Sequence, residues 1–144
     1  MTDFERYKNL LGKFVNFQSV STDPKYLPEI EKTVLWLKNL LSANGFKTEI
    51  WSGKTTNPVV FAEPLTNIHS LPTVLIYGHY DVQPASSKDG WNSDPFRLTT
   101  NGAKMYGRGV VDNKGQILVH IATAINLIKN KSLKYNLKFL IEGN

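Results

Sequence analysis

An α/β fold with a largely parallel sheet is what the order of segments predicts. Two amphipathic helical patterns open the chain, strand-like runs follow, and a long apolar helix then separates two short apolar runs. One of these, Thr73-Val74-Leu75-Ile76-Tyr77, is the pattern expected of a strand covered on both faces. Helices alternating with such strands indicate crossover connections and a parallel sheet.

Each element has a local reason. Thr2-Asp3-Phe4-Glu5 has the form of a capping box, a hydroxyl followed three residues later by a carboxylate. It opens a helix in which Phe4, Tyr7, Leu11, Phe14 and Val15 share a face. A polar turn at residues 19–24 separates it from a second helix starting near Pro28, with Ile30, Val34, Leu37 and Leu41 on one stripe and Gly45 as C-cap. Lys47 to Trp51 and Pro58 to Glu63 read as strands. A long polar loop, Asp81 to Asp94, leads to short strands around Arg97–Thr99 and Lys104–Tyr106, joined by the hairpin signal Asn101-Gly102. Asn113 to Ile128 reads as a helix buried along most of its girth, and Leu137 to Ile141 as a further apolar strand.

Composition narrows the class. In 144 residues, 41% are hydrophobic and 20% charged, enough apolar content for a packed core and too much for disorder. The absence of cysteine excludes disulfide and thiolate chemistry. No apolar run approaches the roughly 18–20 residues of a membrane span. The opening residues are not a secretory signal, which points to a cytoplasmic location. The net charge of +5 has one dense source, Lys129, Lys131, Lys134 and Lys138, placed where a helix ends and a strand begins. Cations suit that pole of a helix, and no basic stripe with interleaved aromatics marks a nucleic-acid face.

Three polar clusters fall at strand ends or a helix start, where open α/β sheets gather function. Gly78-His79-Tyr80-Asp81 follows the apolar run. In extended backbone His79 and Asp81 project to one side, so a carboxylate can orient one ring nitrogen while the other binds a metal. The plain alternative is a loop histidine and an Asp turn. In Tyr106-Gly107-Arg108-Gly109-Val110-Val111-Asp112-Asn113-Lys114-Gly115, Asp112 stands at the helix start, where an N-cap role competes with a functional one. The glycines lack phosphate-loop spacing. Glu142-Gly143-Asn144 is the third cluster.

Together, TVLIYGHYDVQPA, GWNSDPFRLT, KMYGRGVVDNKGQ and FLIEGN resemble the dinuclear zinc peptidase and deacylase family, which includes carnosinase-like dipeptidases, glutamate carboxypeptidases, acetylornithine deacetylase and aminoacylase. The resemblance covers essentially the whole chain. It implies a three-layer catalytic domain, with helices flanking a largely parallel sheet, of which residues 1–144 are the N-terminal portion. It implies that His79 ligates one zinc, that Asp112 bridges two, and that Asp81 is the catalytic-site acid holding the imidazole. Manganese or cobalt are the other metals it allows. A cis peptide after Asp112 is a further family feature. The form GHYDVQPA is similar to the dipeptidase branch, so a dipeptide is the expected substrate. A small N-acyl amino acid is the alternative, as is a non-enzymatic piece that binds a complementary chain.

The family pattern places two glutamates, a general base and a metal ligand, directly after the position where this chain has Asn144. Glu142 fills neither role. The resemblance therefore implies that the dimerisation and lid domain, further ligands and the base lie outside these residues, that the parent is a homodimer, and that these 144 residues alone are inactive. An uncovered edge at the last strand is expected to lower solubility. Other candidates have structural readings: His69 as solvated, His120 as a packed core histidine, Phe14 and Trp36 as core, Trp91 as packing on the hairpin in preference to the site entrance, and Asp94 as a turn residue before Pro95.

Overall fold

The computed structural model describes residues 2–66, 68 and 70–144. Three helices, α1 (Asp3–Asn16), α2 (Leu27–Ser42) and α3 (Lys114–Lys129), accompany six strands: β1 (Phe46–Trp51), β2 (Val59–Pro64), β3 (Thr73–His79), β4 (Thr99–Asn101), β5 (Lys104–Tyr106) and β6 (Asn136–Glu142). The capping box at α1 has both legs, Glu5 N–H to Thr2 Oγ1 and Thr2 N–H to the Glu5 carboxylate. His69 lies outside the described residues.

The main sheet has the order β1-β2-β6-β3, and β4 and β5 form a separate hairpin. The α/β class holds, but the sheet is mixed. In that sheet, among the described residues, β3 and β6 pair in parallel, while β1–β2 and β2–β6 are antiparallel. The reason lies in the connections. Parallel neighbours need a long crossover, which the segment containing α3 supplies between β3 and β6. No helix separates β1 from β2, so that pair closes as antiparallel. The last strand is also not an edge: β6 is central, and β1 and β3 form the edges.

Side-chain alternation shows where the core sits. Leu137, Phe139 and Ile141 of β6 and Val60 and Ala62 of β2 are buried in one cluster with residues of all three helices. The helices thus pack on a single face of the sheet, giving two layers among the described residues. On the opposite face Leu75 and Tyr77 are 58% and 62% exposed, so β3 is not covered on both sides as its apolar run predicts. Phe61 stacks on Trp51 there, ring centroids 4.8 Å apart.

Two other expectations change. Phe4 is 62% exposed, although Leu11, Phe14 and Val15 of the same helix are buried. His120 is exposed, with Gln116, Val119 and Thr123. The sheet and α1 cover only the stripe holding Ile117, Leu118, Ile121, Ala124 and Ile125, so α3 keeps an open flank that its apolar composition hides. Phe14 is in the core and Trp36 packs against it, ring centroids 5.0 Å apart. Lys129, Lys131 and Lys134 are exposed, and Lys138 lies 3.8 Å from Glu63. Among the described residues no helix is long and apolar enough to cross a membrane.

Candidate metal centre

The parallel pair β3 and β6 end side by side, with His79 opposite Glu142. Extended backbone continues one step past β3, where Tyr80 N–H donates to Glu142 O at 2.8 Å. His79 and Asp81 therefore point the same way, as their spacing predicts, and His79 Nδ1 lies 2.9 Å from Asp81 Oδ1. Asp81 is buried, and its other oxygen, Oδ2, accepts from Ser21 Oγ at 2.6 Å. Both of its oxygens are thus engaged, Oδ1 with the His79 ring and Oδ2 with the Ser21 hydroxyl.

Asp112 arrives from the other side. It is not the N-cap of α3; that position is Asn113, whose side chain makes no capping bond. Asn113 Oδ1 instead accepts from the His79 backbone N–H at 3.1 Å, while its amide donates to Gln116. This bond draws the start of α3 onto the end of β3 and places Asp112 Oδ1 2.9 Å from His79 Nε2. The Asp112 side chain is 86% exposed, so it offers its charge outward. The Asp112–Asn113 peptide is cis, as the family pattern leads one to expect.

Burial alone would lower the pKa of His79, but hydrogen bonds and charge from Asp112 and Asp81 together outweigh it and hold the ring above its ordinary value. Lys114, fully buried, is pushed down to about 7 by desolvation, against the opposing charges of Asp81 and Glu29. Its Nζ donates to Phe14 O at 3.0 Å and Phe17 O at 2.7 Å, so the ammonium caps the end of α1.

His79, Asp81, Arg108 and Asp112 line a cleft of about 250 Å³ with Val82, Gln83 and the Gly107–Gly109 turn. Arg108 ties that turn to its surroundings, donating from its guanidinium to Pro84 O and lying 5.4 Å from the Trp91 ring centroid. Trp91 itself lines a second cleft with Thr99 and Tyr106 of the hairpin. Asp94 is a turn residue, accepting from Phe96 N–H at 2.9 Å. A larger cleft of about 450 Å³ between α1 and α3 has Asp3 as its only acid and no histidine, so size does not mark the chemistry.

The structure thus brings His79, Asp81 and Asp112 together. Ser21, Asn113 and Lys114 were not distinguished by sequence reasoning, although the Ser19-x-Ser21 alternation beside a turn was a visible signal. Donor chemistry at the centre suits a divalent cation: one imidazole nitrogen and one exposed carboxylate oxygen converge within 2.9 Å, with the imidazole oriented from behind. Two donors converge there, and among the described residues no group of three or more His, Cys, Asp or Glu could hold a metal ion.

Residues 75–144 match the model of peptidase family M20/M25/M40. Over that segment the chain is similar to that peptidase family. Similarity reaches beyond it: the succinyl-diaminopimelate desuccinylase of Rickettsia typhi is 36% identical over 146 residues, covering 96% of this chain and 35% of that protein. The Beta-Ala-His dipeptidase of Rattus norvegicus is 46% identical over 90 residues, 61% of this chain and 18% of that protein. Human carnosine dipeptidase 1 superposes with a TM-score of 0.87 at 32% identity, over 96% of this chain and 32% of its own. The M20 family metallo-carboxypeptidase Sso-CP2 from Sulfolobus solfataricus gives 0.82 at 31% identity, over 95% of this chain and 30% of its own. This chain thus spans about a third or less of the length of the relatives it matches.

Proposed function

We propose that the chain contributes half of a metal centre to a hydrolase that cleaves the amide bond of dipeptides, with His79 and Asp112 as metal ligands and Asp81 as the acid that orients His79. The observation that carries this reading is the ring of His79 suspended between two carboxylates, 2.9 Å from each. Asp81 accepts from Nδ1–H, which leaves Nε2 directed at the Asp112 carboxylate and the cleft. A proton or a cation, and not both, is held at Nε2. When bound, a divalent ion such as zinc polarises an amide carbonyl and makes water a better nucleophile at neutral pH.

The alternative of a small N-acyl amino acid as substrate draws on the desuccinylase relative. The dipeptide is favoured because identity to the dipeptidase is higher, 46% against 36%, in a match of 90 residues. Amine release from an unblocked dipeptide, set against release from an N-succinyl amino acid, separates the two.

Calorimetric titration of the metal-free chain with zinc tests the centre. His79→Ala and Asp112→Ala are each expected to weaken binding at least about tenfold. Zinc binding by His79→Ala at the wild-type affinity sinks the assignment. Because two donors converge there among the described residues, the zinc-loaded chain is expected to leave dipeptides intact; hydrolysis above a zinc-only blank overturns that expectation.

A further inference from the structure

The hydrogen bonds that hold Asp81 lead away from the cleft into a segment the proposed reaction does not use. Residues 17–21, which follow α1, run beside the loop after β3. Val82 N–H donates to Ser19 O at 2.9 Å, Ser19 Oγ donates to Tyr80 O at 2.7 Å, and Val20 and Val82 form a parallel bridge. Ser19 and Val20 are buried, and Ser21 at the end of the segment is half-buried, with its hydroxyl on Asp81.

The other end of the segment is tied to the opposite half of the centre. Lys114 stands in the first turn of α3, two residues after Asp112, and its ammonium donates to Phe14 O and Phe17 O. One short strap therefore connects the residue that orients His79 with the helix start that carries Asp112.

We infer that residues 17–21, pinned by Lys114, form a positioning strap, and that Ser21 is the positioning residue that sets the Asp81 carboxylate against His79. The torsion of a carboxylate is broad, so a single bond to the imidazole leaves its plane free to turn. A second donor at 2.6 Å on Oδ2 removes that freedom. The Ser21 hydroxyl engages Oδ2 alone, so Oδ1 stays available to accept from Nδ1–H. The inference rests on the reading of His79 as a metal ligand only for its functional meaning; the strap itself is a property of the metal-free chain.

The test is proton NMR of the metal-free chain, following the hydrogen-bonded His79 Nδ1–H resonance, assigned by its loss in His79→Gln. The resonance is expected to be sharp and slow to exchange with water in wild type, shifted and fast-exchanging in Ser21→Ala, and restored in Ser21→Thr. A resonance unchanged in Ser21→Ala, or lost equally in Ser21→Thr, overturns the inference. Lys114→Met is expected to loosen the same resonance; because that variant removes a buried contact and can fail to fold, the half-buried Ser21 carries the decision. Zinc titration supplies a second readout, with affinity falling roughly tenfold or more in Ser21→Ala and recovering in Ser21→Thr. If wild type binds no zinc while Ser21→Ala still releases the resonance, the strap stands and the metal reading falls. If zinc binds and Ser21→Ala moves neither readout, the strap falls and the metal reading stands.

Discussion

Gly78 shows what the centre demands of a single residue. A Cβ added there would lie 2.6 Å from Asn113 Oδ1 and 2.9 Å from Ile117 Cδ1, so the start of α3 reaches β3 only where a side chain is missing. Gly78→Ala is expected to push Asn113 off the His79 backbone N–H and to separate Asp112 from the ring. The cost is about 1–3 kcal/mol, as for other overpacked interiors. Urea denaturation measures it, and zinc titration should show weaker binding in the same variant; unchanged values in both would mean that α3 gives way freely. Gly78 lies in the same motif as His79 and Asp81, and Asp112 in the second motif the sequence singles out. Their partners were less legible. Ser21 is 60 residues from Asp81, and Asn113 is 34 from His79. Spacing within a motif reveals which side chains share a side, but a hydrogen bond that closes a long loop leaves no periodic trace.

At the scale of elements, helix starts and apolar stripes were readable because their causes are local, while coverage was not. In α1 the sequence places Phe4 and Leu11 on the same face, yet the former is 62% exposed and the latter fully buried. A capping box needs only residues three apart, so Thr2 and Glu5 were predictable; burial needs a neighbour, which Phe4 at the end of the helix lacks. Thr2→Ala is therefore expected to cost about 0.5–2 kcal/mol. Phe4→Ala should stay within about 0.5 kcal/mol. The same distinction governs α3, where Ile121 is fully buried and His120 beside it is exposed. Ile121→Ala should cost about 2–5 kcal/mol. Thermal and urea melts of these variants check the order, and a Phe4→Ala loss as large as that of Ile121→Ala would contradict the assigned faces. Strand direction failed for a related reason: helix–strand alternation predicts parallel pairing only where a helix lies between the strands, and none lies between β1 and β2.

At the scale of the molecule, the three helices of the described residues lie on one face of the sheet, and the other face exposes Leu75 and Tyr77 of β3. The two edges differ in how they meet water. In β1, Lys47 and Glu49 carry charge and lie 3.2 Å apart, a device that discourages pairing with another sheet. From Thr73 to Tyr77 β3 has no charge, and Leu75 and Tyr77 expose most of their surface. Among the described residues its outer row of peptide groups has no ladder partner, since β3 pairs there only with β6. Apolar exposure and an unpaired edge at one place make β3 the expected site of self-association. Sedimentation velocity of the purified chain should show association that rises with concentration. Leu75→Lys, which sets a charge on that edge, should restore the monomer. Ile50→Lys on the already charged β1 edge should leave the association in place, because an ion pair guards that strand. A monomer at every concentration, or equal relief by both substitutions, would remove β3 from this role.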